Sequence, residues 1–189
     1  MSCMIGITGT HSTGKSTFFE EVRELAQARG LKVGKVADVA TRCREAGFPI
    51  LKDHTFESTL WIMSSVIRAE LESALVHDLV LVDRPVSDAI GYLEAALEVS
   101  GRTITVDERH YLYTLVGMHS SRYALLFKTN LDLSIPLGEG RDPDVEFRIQ
   151  ADKHITRSLS ELGIRTLDPR SPESVSTIRA LLERMVAAA

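Results

Sequence analysis

Gly9-Thr10-His11-Ser12-Thr13-Gly14-Lys15-Ser16-Thr17 is the stretch that decides the fold. It matches the pattern G-x-x-x-x-G-K-[ST]. Two glycines let the backbone curl so that successive N–H groups point inward at one anion. The pattern needs a strand before it and a helix after it. Met4-Ile5-Gly6-Ile7-Thr8 is a short apolar, β-branched run, and from Thr17 to Ala26 the apolar residues recur at helical spacing. Both requirements are met. The segment therefore reads as a phosphate cradle, with the positive end of the following helix turned to the same anion.

In such a cradle Lys15 reaches the β- and γ-phosphates and the Ser16 hydroxyl ligates Mg²⁺. Gly9, Thr10, His11, Ser12, Thr13, Gly14 and Thr17 complete the expected nucleotide contacts. The positions between the glycines need only their backbone N–H groups, so His11 is not read as a general base. The expected cofactors are ATP and Mg²⁺.

Outward from the loop, strands alternate with helices. Leu31 to Val36 reads as a second strand, and Thr41 to Ala46 as a short helical turn. Asp53-His54-Thr55 starts a long helix from Phe56 to about His77. Leu79-Val80-Leu81-Val82 is a continuous apolar run, the mark of a strand buried on both faces. Helices follow over Ser87 to Val99 and Asp107 to His119, then a strand over Tyr123 to Phe127. Asn130 to Pro143 is a polar loop. Asp144 to Leu162 is helical, Ile164 to Leu167 reads as a fifth strand, and Pro172 to about Ala187 is a last helix with Pro at its first position. This alternation predicts a parallel sheet covered on both faces, with ligands at the carboxyl ends of its strands. No repeat or linker interrupts it, so residues 1–189 read as one domain with a lid segment at about 130–150.

Three groups of charged residues fall at those carboxyl ends. Asp83-Arg84 follows the buried third strand, where an acid stands near a metal at the loop or takes a proton from an attacking hydroxyl. Asp38 and Arg42 follow the second strand four residues apart, on one helix face. Arg141 and Arg148 flank the polar loop, where arginines can close over a transferring group and neutralise developing charge. Phe56 or Trp61 on the long helix could stack on a ring, and the same helix with Trp61 and Met63 is read as a candidate homodimer face.

The bulk properties set bounds. The chain has 189 residues, a net charge of −4 and two cysteines, Cys3 and Cys43, outside any ligand spacing. Its pI is about 5.9. No long basic run suggests a broad grip on nucleic acid. Two unpaired thiols, no signal-peptide pattern, no apolar run near the ~20 residues of a membrane span and Ser rather than Gly at position 2 lead to the expectation of a cytoplasmic protein.

Taken together, Gly9 to Thr17, Asp38 with Arg42, Asp83-Arg84, and Glu139-Gly140-Arg141 leading to Glu146-Phe147-Arg148 resemble the nucleoside and nucleotide kinase group of the P-loop proteins. Within it the chain is similar to small AAA-like ATPase/kinase proteins related to the ribosylnicotinamide kinase domain. Those carry an acid and an Arg after strand two, D-R after strand three, and a lid with D-G-x-R. This chain has Asp at 38 where Glu is usual, and its Glu139-Gly140-Arg141 lacks the spacer. The resemblance implies a three-layer α/β P-loop fold with a five-stranded parallel sheet of order 2-3-1-4-5. It also implies that Asp168, Pro169 and Arg170 lie beside adenine.

The function expected is an ATP-dependent kinase that phosphorylates a hydroxyl of a nucleoside-like small molecule. Lys15, Asp38, Asp83, Arg141 and Arg148 are the catalytic candidates. Asp38, Arg42 and Arg84 are the acceptor-binding candidates, and Ser16 and Asp83 the metal ligands. Two alternatives stay open. One is a kinase of polynucleotides or of hydroxymethylated-base DNA. The other is an NTPase or GTP-binding switch, faintly suggested by Thr129-Asn130-Leu131-Asp132.

Overall fold

The computed structural model describes residues 2–10, 13–136 and 143–188. Its strands are β1 (Cys3–Thr8), β2 (Val33–Val36), β3 (Leu79–Asp83) and β4 (Leu125–Lys128). Its helices are α1 (Lys15–Gln27), α2 (Val39–Glu45), α3 (Phe56–Ala74), α4 (Val86–Ser100), α5 (Val106–Ser120), α6 (Val145–Glu161) and α7 (Pro172–Ala187). A 3-10 turn, Leu51–Asp53, precedes α3.

All strand pairs are parallel and the order is β2-β3-β1-β4. Side-chain alternation along the strands sends Ile5, Ile7, Leu79 and Leu81 to one face, where they meet Phe18, Phe19 and Val22 of α1 and Ile178 and Leu182 of α7. Met4, Val80 and Val82 go to the other face and pack with α2, α3, α4 and α6. A sheet covered on both faces explains the unbroken apolar run of β3.

The expected fifth strand is a correction. Of Ile164 to Leu167, only Leu167 joins the sheet, as a single parallel bridge to Phe127. Leu167 donates to the Leu126 carbonyl and accepts from the Lys128 N–H, both at 2.9 Å. The segment leaves Gly163 in a left-handed conformation (φ 63°), and Pro169 two residues later has no N–H with which to extend a ladder. The sheet therefore has four strands among the described residues, not five.

Local signals explain the helix boundaries. Thr55 caps α3 and Thr105 caps α5, each in a reciprocal capping box. Asp144 caps α6, and Ser171 caps α7 ahead of Pro172. No described helix is long and apolar enough to cross a membrane.

Helix α4 is buried on nearly every side and lies against α6. The close approach occurs at Gly91, where an added Cβ would stand 2.8 Å from the backbone N and Cα of Ile155. Backbone atoms cannot rotate aside as a side-chain end can. Gly91→Ala should therefore destabilise the fold by about 1–3 kcal/mol despite alanine's better helix propensity. That lowers Tm by roughly 2–12 °C in a thermal melt. An unchanged or higher Tm would show that the two helices can separate freely.

Candidate functional site

The phosphate loop hangs between β1 and α1. Gly9 has φ 129°, and a Cβ there would meet the Thr129 hydroxyl at 2.3 Å. Glycine is therefore required both by conformation and by space. Thr129 Oγ1 donates to the Thr8 carbonyl at 3.2 Å and lies 2.7 Å from Thr13 Oγ1, which donates to the Thr10 carbonyl at 3.1 Å. These hydroxyls pin both sides of the loop to the end of β4. Gly14, at φ 88°, turns the chain into α1. Helix α1 has no side-chain cap and no acidic residue in its first turn. No acidic side chain in that turn thus offsets the positive end of the helix dipole.

Lys15 is buried, and its Nζ donates to the Gly9 carbonyl at 3.1 Å and to the Thr10 carbonyl. Ser16 and Thr17 are exposed on the first turn of α1. His11 and Ser12 lie outside the described residues.

Strand register sets the next group. Asp83 pairs with Ile7, so its carboxylate stands beside the strand end that feeds the loop. Its Oδ1 is sealed from solvent with no hydrogen-bond partner, as is Thr10 Oγ1. A buried carboxylate oxygen without a partner carries a desolvation cost that a bound cation would relieve. Hard oxygen donors from Asp83 and Ser16 fit Mg²⁺, which takes one or two protein ligands and fills its shell with water and phosphate oxygens.

A cavity of about 150 Å³ opens beside Asp83. Asp38, Thr41, Arg44, His54, Arg84, Asp88 and Tyr92 supply most of its polar lining, and Val39, Ile50, Leu51, Ile62, Val66 and Ala89 its apolar walls. Among the described residues, three non-glycine residues have positive φ: Asp38 (59°), Leu51 (60°) and Arg84 (67°). All three line this cavity. A left-handed backbone disfavours an L-residue by roughly 1–2 kcal/mol. Such strain gathers where side chains must be aimed.

Asp38 ends the turn after β2 and occupies the N-cap of α2, yet its side chain makes no capping bond. The carboxylate is left to the cavity. Arg42, expected on the same face, is exposed and is not among the lining residues; Arg44 is. The α2 helix is rotated so that 44, not 42, follows Asp38 into the cleft.

Arg84 donates to the Tyr92 hydroxyl at 2.8 Å, and its guanidinium carbon lies 5.2 Å from the centre of that ring. It stands 4.0 Å from Asp88. Burial opposes its charge, but Tyr92, Asp88 and Asp83 hold its pKa above the ordinary value.

Asp88 was not singled out from the sequence. It accepts from the Thr8 hydroxyl and, at 3.3 Å, from the Gly9 N–H. It thereby ties the start of the phosphate loop to the cavity wall. The available signal was a carboxylate inside the mostly apolar stretch Val86 to Leu93. Burial pushes its pKa up to about 6 against the opposing pull of Arg84, Thr8, Lys15 and Gly9.

His54 is shifted the other way. Burial lowers its pKa to about 4, against the Leu51 backbone hydrogen bond that favours the charged ring. A depressed histidine contributes stability above its unfolded pKa of about 6.5, and that contribution is lost as pH falls toward 4. A raised aspartate contributes stability below its unfolded pKa near 3.8, and that is lost as pH rises through about 6. On acidification from pH 6.5 to 4 the two effects therefore oppose each other, each on the order of 3 kcal/mol. Urea melts across that window should show His54→Asn gaining stability relative to the parent protein and Asp88→Asn losing it. Parallel curves for all three would remove both groups from the titration.

The remaining expected residues are placed as follows. Arg148 is buried in the first turn of α6. Arg141, with Glu139 and Gly140, lies outside the described residues. Arg170 is exposed in the turn before α7, its N–H bonded to the Asp168 carboxylate at 2.8 Å. Phe56 pairs with Tyr111 and Trp61 with Phe48, and neither lines the cavity. Met63 is fully buried, so it cannot belong to a dimer face.

No curated protein matches the chain. A NadR protein solved in complex with NR superposes with a TM-score of 0.66 at 16% identity, covering 96% of this chain and 51% of that one. This chain thus spans about half of that relative. Deoxyadenosine kinase from M. mycoides with bound dATP gives 0.58 at 13% identity, covering 97% of this chain and 99% of that one. The same enzyme with bound dCTP gives 0.59 at 15%, with 98% and 100% covered. At such identities the likeness establishes that this chain shares their fold. A family model described as an AAA domain matches residues 4–174, and the chain belongs to that family.

Proposed function

We propose that the protein is an ATP-dependent kinase that transfers the γ-phosphoryl group to a hydroxyl of a nucleoside-like small molecule. The observation that carries this reading is a junction. The phosphate loop and the strained, carboxylate-bearing cavity share one wall, through Asp83 at the end of β3 and Asp88 bonded to Thr8 and Gly9. The structural neighbours, a NadR protein in complex with NR and a deoxyadenosine kinase with bound dATP, support it.

The reading gives each residue a task. Loop N–H groups and Lys15 hold the triphosphate, with the ammonium exchanging its present carbonyl partners for phosphate oxygens. Ser16 and Asp83 would hold Mg²⁺, which neutralises charge on the phosphates. The acceptor enters the cavity with its hydroxyl toward Asp38, whose side chain is not used in capping. The hydroxyl oxygen forms its bond to the γ-phosphorus as the bond to the β–γ bridging oxygen breaks. Asp38 takes the proton and ADP leaves. Arg84, held by Tyr92 and Asp88, orients the acceptor near the reacting phosphoryl group. Positioning and charge neutralisation supply the rate gain.

The test is phosphate accounting with Mg·ATP and a panel of nucleosides, nicotinamide riboside, and DNA with and without hydroxymethylated bases. Transfer to a nucleoside that disappears in Lys15→Ala supports the proposal. Transfer to DNA alone would replace the acceptor class, and free phosphate release with no labelled acceptor would leave an NTPase.

A further inference from the structure

His54 is a buried part of the cavity wall that phosphoryl transfer does not use. It lies in the turn between the 3-10 segment and α3, is 3% exposed, and lines the cavity. Its Nδ1 is 2.9 Å from the Leu51 carbonyl. A carbonyl oxygen only accepts, so Nδ1 carries the proton. Burial holds the ring neutral, which leaves Nε2 as a bare lone pair.

That lone pair has no hydrogen-bond partner among the described residues. Nor is it among the polar atoms sealed from solvent without a partner. In a side chain so nearly buried, the opening left to Nε2 is the cavity the ring lines. The ring cannot readily turn away. It packs against Tyr92 with centroids 5.9 Å apart and planes at 33°, and Tyr92 is fixed in turn by Arg84. Ile50, Leu51, Ile62 and Ala89 supply apolar wall around it. The result is an oriented acceptor, unable to donate, in a cavity wall that carries both apolar and polar side chains. Such a group favours a ligand donor and leaves a ligand acceptor facing it unpaired.

We propose that His54 is a specificity-determining residue whose Nε2 accepts a hydrogen bond from an N–H donor on the base of the acceptor nucleoside. This rests on the kinase reading above and narrows its substrate class. The preferred acceptors carry an amino or carboxamide N–H on the base, and isosteres without it are rejected.

The test compares matched ligands by calorimetry, with a non-hydrolysable ATP analogue present, and by steady-state transfer. The pairs are adenosine against purine riboside, cytidine against pyrimidin-2-one riboside, and nicotinamide riboside against its carboxylate analogue. The donor-bearing member of at least one pair should bind about 10- to 100-fold tighter. The difference should appear in Kd and KM rather than kcat. His54→Asn keeps a donor toward Leu51 but has no acceptor at the position of Nε2, so it should abolish the preference while retaining affinity for the ATP analogue. His54→Gln, which places an oxygen near the position of Nε2, should keep part of it. Should the Asn protein fail to fold, the Gln protein decides by retaining or losing the ranking of the pairs. Transfer with no donor preference, or a preference that survives in His54→Asn, overturns this inference alone. No binding and no transfer to any panel member overturns the kinase reading with it.

Discussion

Asp83→Asn should lower phosphoryl transfer by two to three orders of magnitude while leaving the fold intact. The argument starts from the buried, unpartnered Oδ1 beside the strand end that feeds the phosphate loop. In the proposed mechanism this oxygen helps hold Mg²⁺ and so acts on the charge that moves during transfer. Removing one such preorganised electrostatic contact costs about 10²–10³ in turnover. The amide is isosteric, so packing is retained. Because it cannot supply a negative charge, half-maximal activity should also require more Mg²⁺. The checks are kcat against Mg²⁺ concentration and a thermal melt of the same preparation. Parent-like turnover at low Mg²⁺ would remove Asp83 from the site.

Asp88→Ala should have the largest effect on stability. It leaves the Thr8 hydroxyl and the Gly9 N–H without their acceptor, and Arg84 without its neighbouring carboxylate. Losing partners of buried groups in this way destabilises by on the order of 3 kcal/mol. For a chain of this length that lowers Tm by roughly 6–12 °C. Asp88→Asn keeps an oxygen acceptor but no charge, and should fall between. ATP affinity should decline in both variants, because Gly9 opens the loop that binds phosphate. A parent-like melt for Asp88→Ala would mean that the loop is held by the Thr13 and Thr129 hydroxyls alone.

Most of the framework was legible in the chain itself. Periodicity marked α3, α4, α6 and α7 to within a residue or two at most ends, because their caps and punctuating glycines act locally. The fifth strand failed for the opposite reason. Four residues of suitable composition do not make a strand when only one of them reaches a partner. The candidate site divides along the same line. The placement of Gly9, Gly14 and Lys15 at the phosphate loop and of Asp83 at a strand end was readable because a loop motif and a buried strand end constrain sequence at short range. That Arg44 lines the cavity and Arg42 does not depended on how α2 docks, which helical spacing alone leaves open. Asp88 and His54 gave only weak local signs, since each is defined by neighbours far along the chain: Thr8 and Gly9 for one, Tyr92 for the other.

The sequence by itself determined a phosphate loop between a strand and a helix, and a parallel α/β architecture with chemistry at the strand ends. Both follow from short-range rules of backbone conformation and side-chain period. Only the tertiary structure decided that the loop and the cavity share a wall, which carboxylates are buried there, and which imidazole nitrogen is left bare. Those properties depend on desolvation and on contacts between segments as much as 80 residues apart, and no local pattern encodes them.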